Sequence, residues 1–167
     1  PGRGPEDIEA NTTQAVHSAC IMQNYYDAEI LMCPTEPSSA VVAMDNYNYD
    51  LYKVDEDVYW DPSFDGNLDG GLCHFSYASV GVAVDRKKMQ WKDSMDSDFA
   101  IIGNRGVLCM DPSYVPESSI TYEIHGGRGQ WVGNVCYNDN HVEVESSFYP
   151  EGLSYSSSEG SHPDHLF

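Results

Sequence analysis

Apolar positions change their period along this chain, and the changes mark out its elements. Ala15, Ala19 and Met22 recur at helical spacing with Val16 and Cys20 beside them. Asn11 followed by Gln14 has the form of a capping box, so a short amphipathic helix is predicted over 12–23. Ala28 to Cys33 is a short apolar run stopped by Pro34, which reads as a strand entering a turn, and Val41–Met44 is a second candidate. Between 45 and 69 the pattern dissolves into an acidic, aromatic stretch, a long loop with one strand near Leu51–Val54. Alternation returns at Phe75, Tyr77 and Ser79, with Val80–Val84 extending or following that strand, and Asp85–Lys88 reads as a charged turn. Phe99–Gly103 is a buried strand. The strongest local signal is Asn134–Tyr137, then Asn138-Asp139-Asn140, then His141–Glu145, a β-hairpin whose turn tolerates positive φ. Val142 and Val144 share one face, and the predicted sheet core is Phe75, Tyr77, Ile101, Val135, Val142 and Val144. Residues 1–10 read as an extended arm, 11–150 as a globular head and 151–167 as a Ser-rich tail, loose from 154 onward. The fold class that follows is α+β: one short N-terminal helix packed on an antiparallel β-sheet with long irregular loops.

Composition sharpens this picture. With 12 Tyr and 3 Trp in 167 residues, the chain carries too much large apolar side chain to remain disordered. Charge is lopsided, with 27 Asp+Glu against 8 Lys+Arg for a net charge of -19. Such a surface repels phosphate backbones and anionic headgroups, so nucleic acid is excluded as a partner and divalent cations are the natural one. No apolar run approaches the roughly 20 residues of a membrane span, so this segment is not expected to insert. The five cysteines form no C-x-x-C pair, which removes support for a zinc ribbon or a thioredoxin-like site. Up to two disulfides with one thiol left over are compatible with the count.

Candidate chemistry is sparse. Asp65-Gly66-Asn67-Leu68-Asp69-Gly70 matches the first half of a calcium loop, in which alternating oxygen side chains and a glycine wrap a hard cation. Its twelfth position is Ser76 rather than a bidentate Glu, so closure of a Ca²⁺ site falls to other acids such as Asp61 or Asp57. His125 opens a Gly-rich turn and His141 sits on a hairpin face, where each has backbone groups to bond. His162 and His165 lie in the polar tail. Serine-hydrolase, zinc-protease and P-loop motifs are absent, and no enzymatic activity is expected. Asn11-Thr12-Thr13 is a glycosylation sequon whose simpler role is to cap the helix.

The order of motifs resembles the bacterial prepilin-type pseudopilins. Ala28 through Cys33-Pro34-Thr35-Glu36-Pro37 is similar to that family's segment ending in C-P-S-D-P. Phe75-Ser76-Tyr77-Ala78 resembles its S-Y-x-x strand, and Phe99–Arg105 its apolar strand ending in a D-R turn. His125-Gly126-Gly127-Arg128-Gly129-Gln130, with Asn134-Val135-Cys136-Tyr137-Asn138-Asp139-Asn140-His141-Val142, is similar to its C-terminal signature H-G-G-x-G-x-N-V-L-Y-x-D-G-H-V. Asn140 stands where the signature has glycine, and Trp131-Val132-Gly133 looks like an insertion. The family's long apolar N-terminal helix has no counterpart here. The resemblance implies a pilin-head-like fold and a structural role, an extracellular subunit that assembles with itself into a filament at the bacterial surface. A surface ligand-binding module using Tyr47–Trp60, and a secreted hydrolase with a carboxylate pair, are the competing expectations.

Overall fold

The computed structural model describes residues 5, 7–68, 71–82, 84–107, 118–127, 129–163 and 166. Its elements, in chain order, are α1 (Thr13–Met22), β1 (Tyr77–Ser79), α2 (Val84–Met89), β2 (Ala100–Asn104), β3 (Gly133–Tyr137), β4 (Val142–Glu145), β5 (Ser154–Ser157) and β6 (Gly160–Pro163), with 3₁₀ turns in the connections. The content is α+β. Residues divide into two compact units, one of 1–33 with 39–76 and one of 34–38 with 77–167. No helix among the described residues is long and apolar enough to cross a membrane.

In the first unit, α1 is capped by Thr12 rather than Asn11, its hydroxyl accepting from the Ala15 N–H at 3.1 Å. Gln14, the expected capping-box partner, instead donates to the Phe64 carbonyl at 2.8 Å. The buried stripe is His17, Ser18, Ile21 and Met22, one step away from the Ala15–Ala19 stripe the pattern suggested. Residues 28–33 do not form a strand. Ala28–Leu31 is a 3₁₀ turn that buries Ala28 and Leu31 and leaves Ile30 in water; apolar residues three apart eclipse in that geometry. Val41 makes only an isolated bridge to Cys73. The 45–69 stretch likewise holds 3₁₀ turns at Tyr49–Leu51 and Val54–Glu56 in place of a strand, with a bridge between Lys53 and Val58. Phe64, Cys73 and Phe75 complete this unit's core with Leu31, Cys33, Val41 and Met44.

The second unit is built on an antiparallel sheet in the order β1-β2-β3-β4, with an irregularity in the β2–β3 register between Ala100 and Ile102. β3 alternates cleanly, with Gly133, Val135 and Tyr137 inward. Ala100, Tyr122, Trp131, Val135, Tyr137, Leu153 and Leu166 form one core cluster. Trp131, within the three residues read as an insertion, lies over Gly133, where an added Cβ would come within 2.3 Å of the ring. Asp85–Lys88 lies in the helix α2 and not in a turn: the acid opens it and Arg86, Lys87 and Lys88 close it, the arrangement the helix dipole favours. Its Arg86 lies over the Tyr155 ring at 4.8 Å. Where the composition suggested a loose tail, β5 and β6 pair as a hairpin, and Leu166 is only 1% exposed.

Two predicted core residues are corrected. Val142 and Val144 are 61% and 70% exposed. The pair shares one face of β4 as expected, but that face is the solvent side. β4 is the outer strand, and its core-side neighbours are carboxylates. Ile101 and Tyr77 are half-buried, whereas Val135 is fully buried and Phe75 lies in the first unit's core.

Candidate functional site

The β3–β4 hairpin turns on Asn138-Asp139-Asn140. Asn140 takes φ +68°, the left-handed conformation that the signature glycine would supply, and its N–H donates to the Tyr137 carbonyl at 2.9 Å. Asn138 ties the turn to 92–96: its amide nitrogen donates to the Lys92 carbonyl at 3.1 Å, and its side-chain oxygen accepts from Ser94 and from the Asp96 N–H. Asp139 accepts from the His141 N–H at 3.1 Å and pairs with the His141 ring through Nδ1. These hydrogen bonds, backbone first, hold the Asp139 carboxyl below its ordinary value. With Nδ1 committed, His141 presents Nε2 at 3.8 Å from Glu143. Its ring lies flat on Tyr137, centroids 4.5 Å apart and planes 2° from parallel. The Tyr137 hydroxyl donates to Glu145 at 2.8 Å. Burial first, then that bond and the charges of Glu145, Glu143 and Asp98, push its pKa well above the ordinary tyrosine value, so it stays protonated.

These side chains open on a cleft of about 260 Å³, closed on its other sides by Ser97, Asp98 and the 150–153 segment. Asp98, Glu143, Glu145 and Glu151 all line it. Four carboxylates around one cleft favour a cationic group. Sequence reading missed the cleft because it placed the β4 valines inward. The available signal was Tyr137 opposite His141, which fixes Glu143 and Glu145 on the tyrosine's face.

No family model, curated protein or solved structure matches this chain.

The other predicted residues fall in separate places. In the first unit Cys33 donates its N–H to the Ser76 hydroxyl, and Ser76 in turn donates to the Leu31 carbonyl at 3.2 Å. Pro34 and Tyr77 belong to the second unit, where Tyr77 opens β1. His125 is exposed and approaches the Asn134 amide at 3.5 Å. Gly126 needs its missing side chain, since a Cβ there would meet the Gln130 carbonyl at 2.2 Å, and Gly127 bridges Gln130. Glu36 and Arg105, from the C-P-T-E-P and strand-end segments, form a two-pronged ion pair with Nε to Oε2 at 2.9 Å. Their side chains are 1% and 13% exposed, and Trp131 Nε1 donates to the Arg105 carbonyl.

In the proposed calcium loop, Asp65 accepts from the Asn67 N–H at 2.9 Å. Asp61 is buried and uses both oxygens, accepting from Ser63 and from the Asn48 N–H. Burial pushes its pKa up, but the hydrogen bonds from Ser63 and Asn48 outweigh that, so the net shift is downward. Asp69 lies outside the described residues. Among the described residues no group of three His, Cys, Asp or Glu is spaced to hold a metal ion. Cys20, Cys33, Cys73 and Cys136 are thiols, and Cys109 is outside the described set. Tyr47, part of the aromatic stretch, spends its hydroxyl within its own unit, donating to the Ser18 carbonyl and accepting from the Asp61 N–H.

Proposed function

We propose that this chain is a pilin-like structural subunit of a bacterial surface filament, extracellular, its function carried by contacts between copies. The observation that carries the reading is the Glu36–Arg105 pair. Two segments 69 residues apart, each singled out by the pseudopilin resemblance, meet through a buried bidentate bond. The hairpin adds support, since Asn140 adopts the backbone that the signature's glycine serves. In this reading residues 11–150 are the pilin-head-like part. The polar arm 1–10 makes the subunit contact, docking on a neighbouring copy, and one such heterologous contact repeated head to tail builds an open filament. Calcium held by Asp65, Asn67 and Asp69, with Asp61 behind them, relieves repulsion in the 45–69 stretch.

Electron microscopy of the purified chain tests the proposal: filaments are expected, and deletion of residues 1–10 is expected to leave a folded monomer. Persistent monomers of the intact chain at every concentration would count against the subunit reading. Normal filaments from the truncated chain would remove only the role of the arm.

A further inference from the structure

The outer strand β4 carries its charged side chains toward the cleft and its apolar side chains in water. Inward-pointing charge is one device that keeps a sheet edge from pairing with a like edge. Here Glu143 and Glu145 follow the face on which β3 buries Val135 and Tyr137, and both line the cleft. Val142 and Val144 stand on the opposite, solvent face. The main chain alternates in step. Tyr137 N–H donates to the His141 carbonyl at 3.0 Å, which makes Tyr137–His141, Val135–Glu143 and Gly133–Glu145 the hydrogen-bonded pairs. Asn134, opposite Val144, turns its N–H away from β4 to Asn104 Oδ1 at 2.8 Å. Val142 and Val144 therefore aim their N–H and C=O groups outward from the edge.

We propose that this edge is a docking site for an extended polypeptide segment alternating basic and β-branched apolar residues, added as a fifth antiparallel strand. Residues of the incoming strand paired with Val142 and Val144 would exchange main-chain hydrogen bonds with them and cover the valines. The intervening residues fall on the cleft side, where Lys or Arg meets Asp98, Glu143, Glu145 and Glu151. Charge selects this occupant over a second copy of the same strand. Antiparallel pairing of β4 with itself centred on Glu143 sets Glu143 against Glu143, and centred on Val144 sets Glu143 against Glu145, like-charge contacts beside a cleft already holding four carboxylates. The same acids that refuse a copy attract a cationic strand.

The test uses a labelled peptide of alternating Val and Lys, a scrambled peptide of the same composition, and versions N-methylated on the valines or on the lysines. Fluorescence anisotropy should show binding of the alternating peptide, with NMR amide shifts concentrated at Val142 and Val144. Scrambling or valine N-methylation should weaken it by roughly tenfold or more, because the valine N–H groups face β4; lysine N-methylation should leave it intact. Glu143→Gln with Glu145→Gln should weaken it similarly while keeping the shape of both side chains. Equal binding of the scrambled or valine-methylated peptide would overturn the proposal, reducing it to diffuse attraction toward an acidic chain. Absence of binding overturns it as well, as would concentration-dependent shifts at Val142 and Val144 without peptide, which mark a second copy on the edge.

Discussion

His17 shows what burial does to one titrating group. Its ring packs on Phe75 at 4.4 Å, its Nδ1 meets the Tyr26 hydroxyl at 2.6 Å, and burial lowers its pKa to about 4. The folded chain thus holds His17 neutral at pH values where the unfolded chain protonates it. The stability this contributes is complete above about pH 6.5 and is lost as pH falls toward 4, a difference of up to about 3 kcal/mol. Urea melts across that window should show the loss, and His17→Leu should flatten this part of the profile. An unchanged slope in the variant would assign the acid sensitivity to other groups. That His17 is buried was not legible in the sequence, because a histidine in a helix reads as polar. Only the Ile21 and Met22 stripe, one turn along, hinted at its side of α1.

At the scale of elements, the two strands of the hairpin make opposite forecasts. Val144→Asp should change stability by less than about 0.5 kcal/mol, since the side chain is already in water. Val135→Asp should unfold the second unit, because it strands a carboxylate in the core. Thermal melts of the two variants compare them directly; equal losses would mean that the valine face of β4 is covered. The Glu36–Arg105 pair gives a second forecast. Arg105→Met should cost about 3–5 kcal/mol by leaving Glu36 buried and uncompensated, while the double change Glu36→Met with Arg105→Met should recover most of it. A double variant no better than the single would show that the pair's worth lies elsewhere. The hairpin itself was legible, since its turn residues and alternation both report locally. Which face of β4 turns inward was not, because an edge strand's burial depends on what lies beyond the sheet. Residues 28–31 misled for a related reason: a short apolar run has no period of its own, and tertiary burial of Ala28 and Leu31 chose the 3₁₀ turn.

For the whole molecule, net charge governs behaviour in solution. At -19 the chain repels itself, and calcium is expected to raise its melting temperature and give a binding heat. Calorimetry separates two cases. Heat lost on Asp65→Asn with Asn67→Ala places the ion in the 65–70 loop, whereas heat that survives marks diffuse counterions. The α+β class was readable from local periods, but the division into two units was not, because it depends on residues 34–38 packing with the later part of the chain.

Leu166 has a bearing on how the chain is made. Its N–H donates to the Phe148 carbonyl at 2.8 Å and its side chain fills the core cluster beside Trp131 and Val135. The second unit's sheet therefore cannot close its core while residue 166 is still inside the ribosomal tunnel. During synthesis the strands β1 to β4 must wait, exposed, for a leucine added more than twenty residues after β4 ends. A nascent chain stalled before that residue should be cut by protease within the second unit, and one released past it should resist.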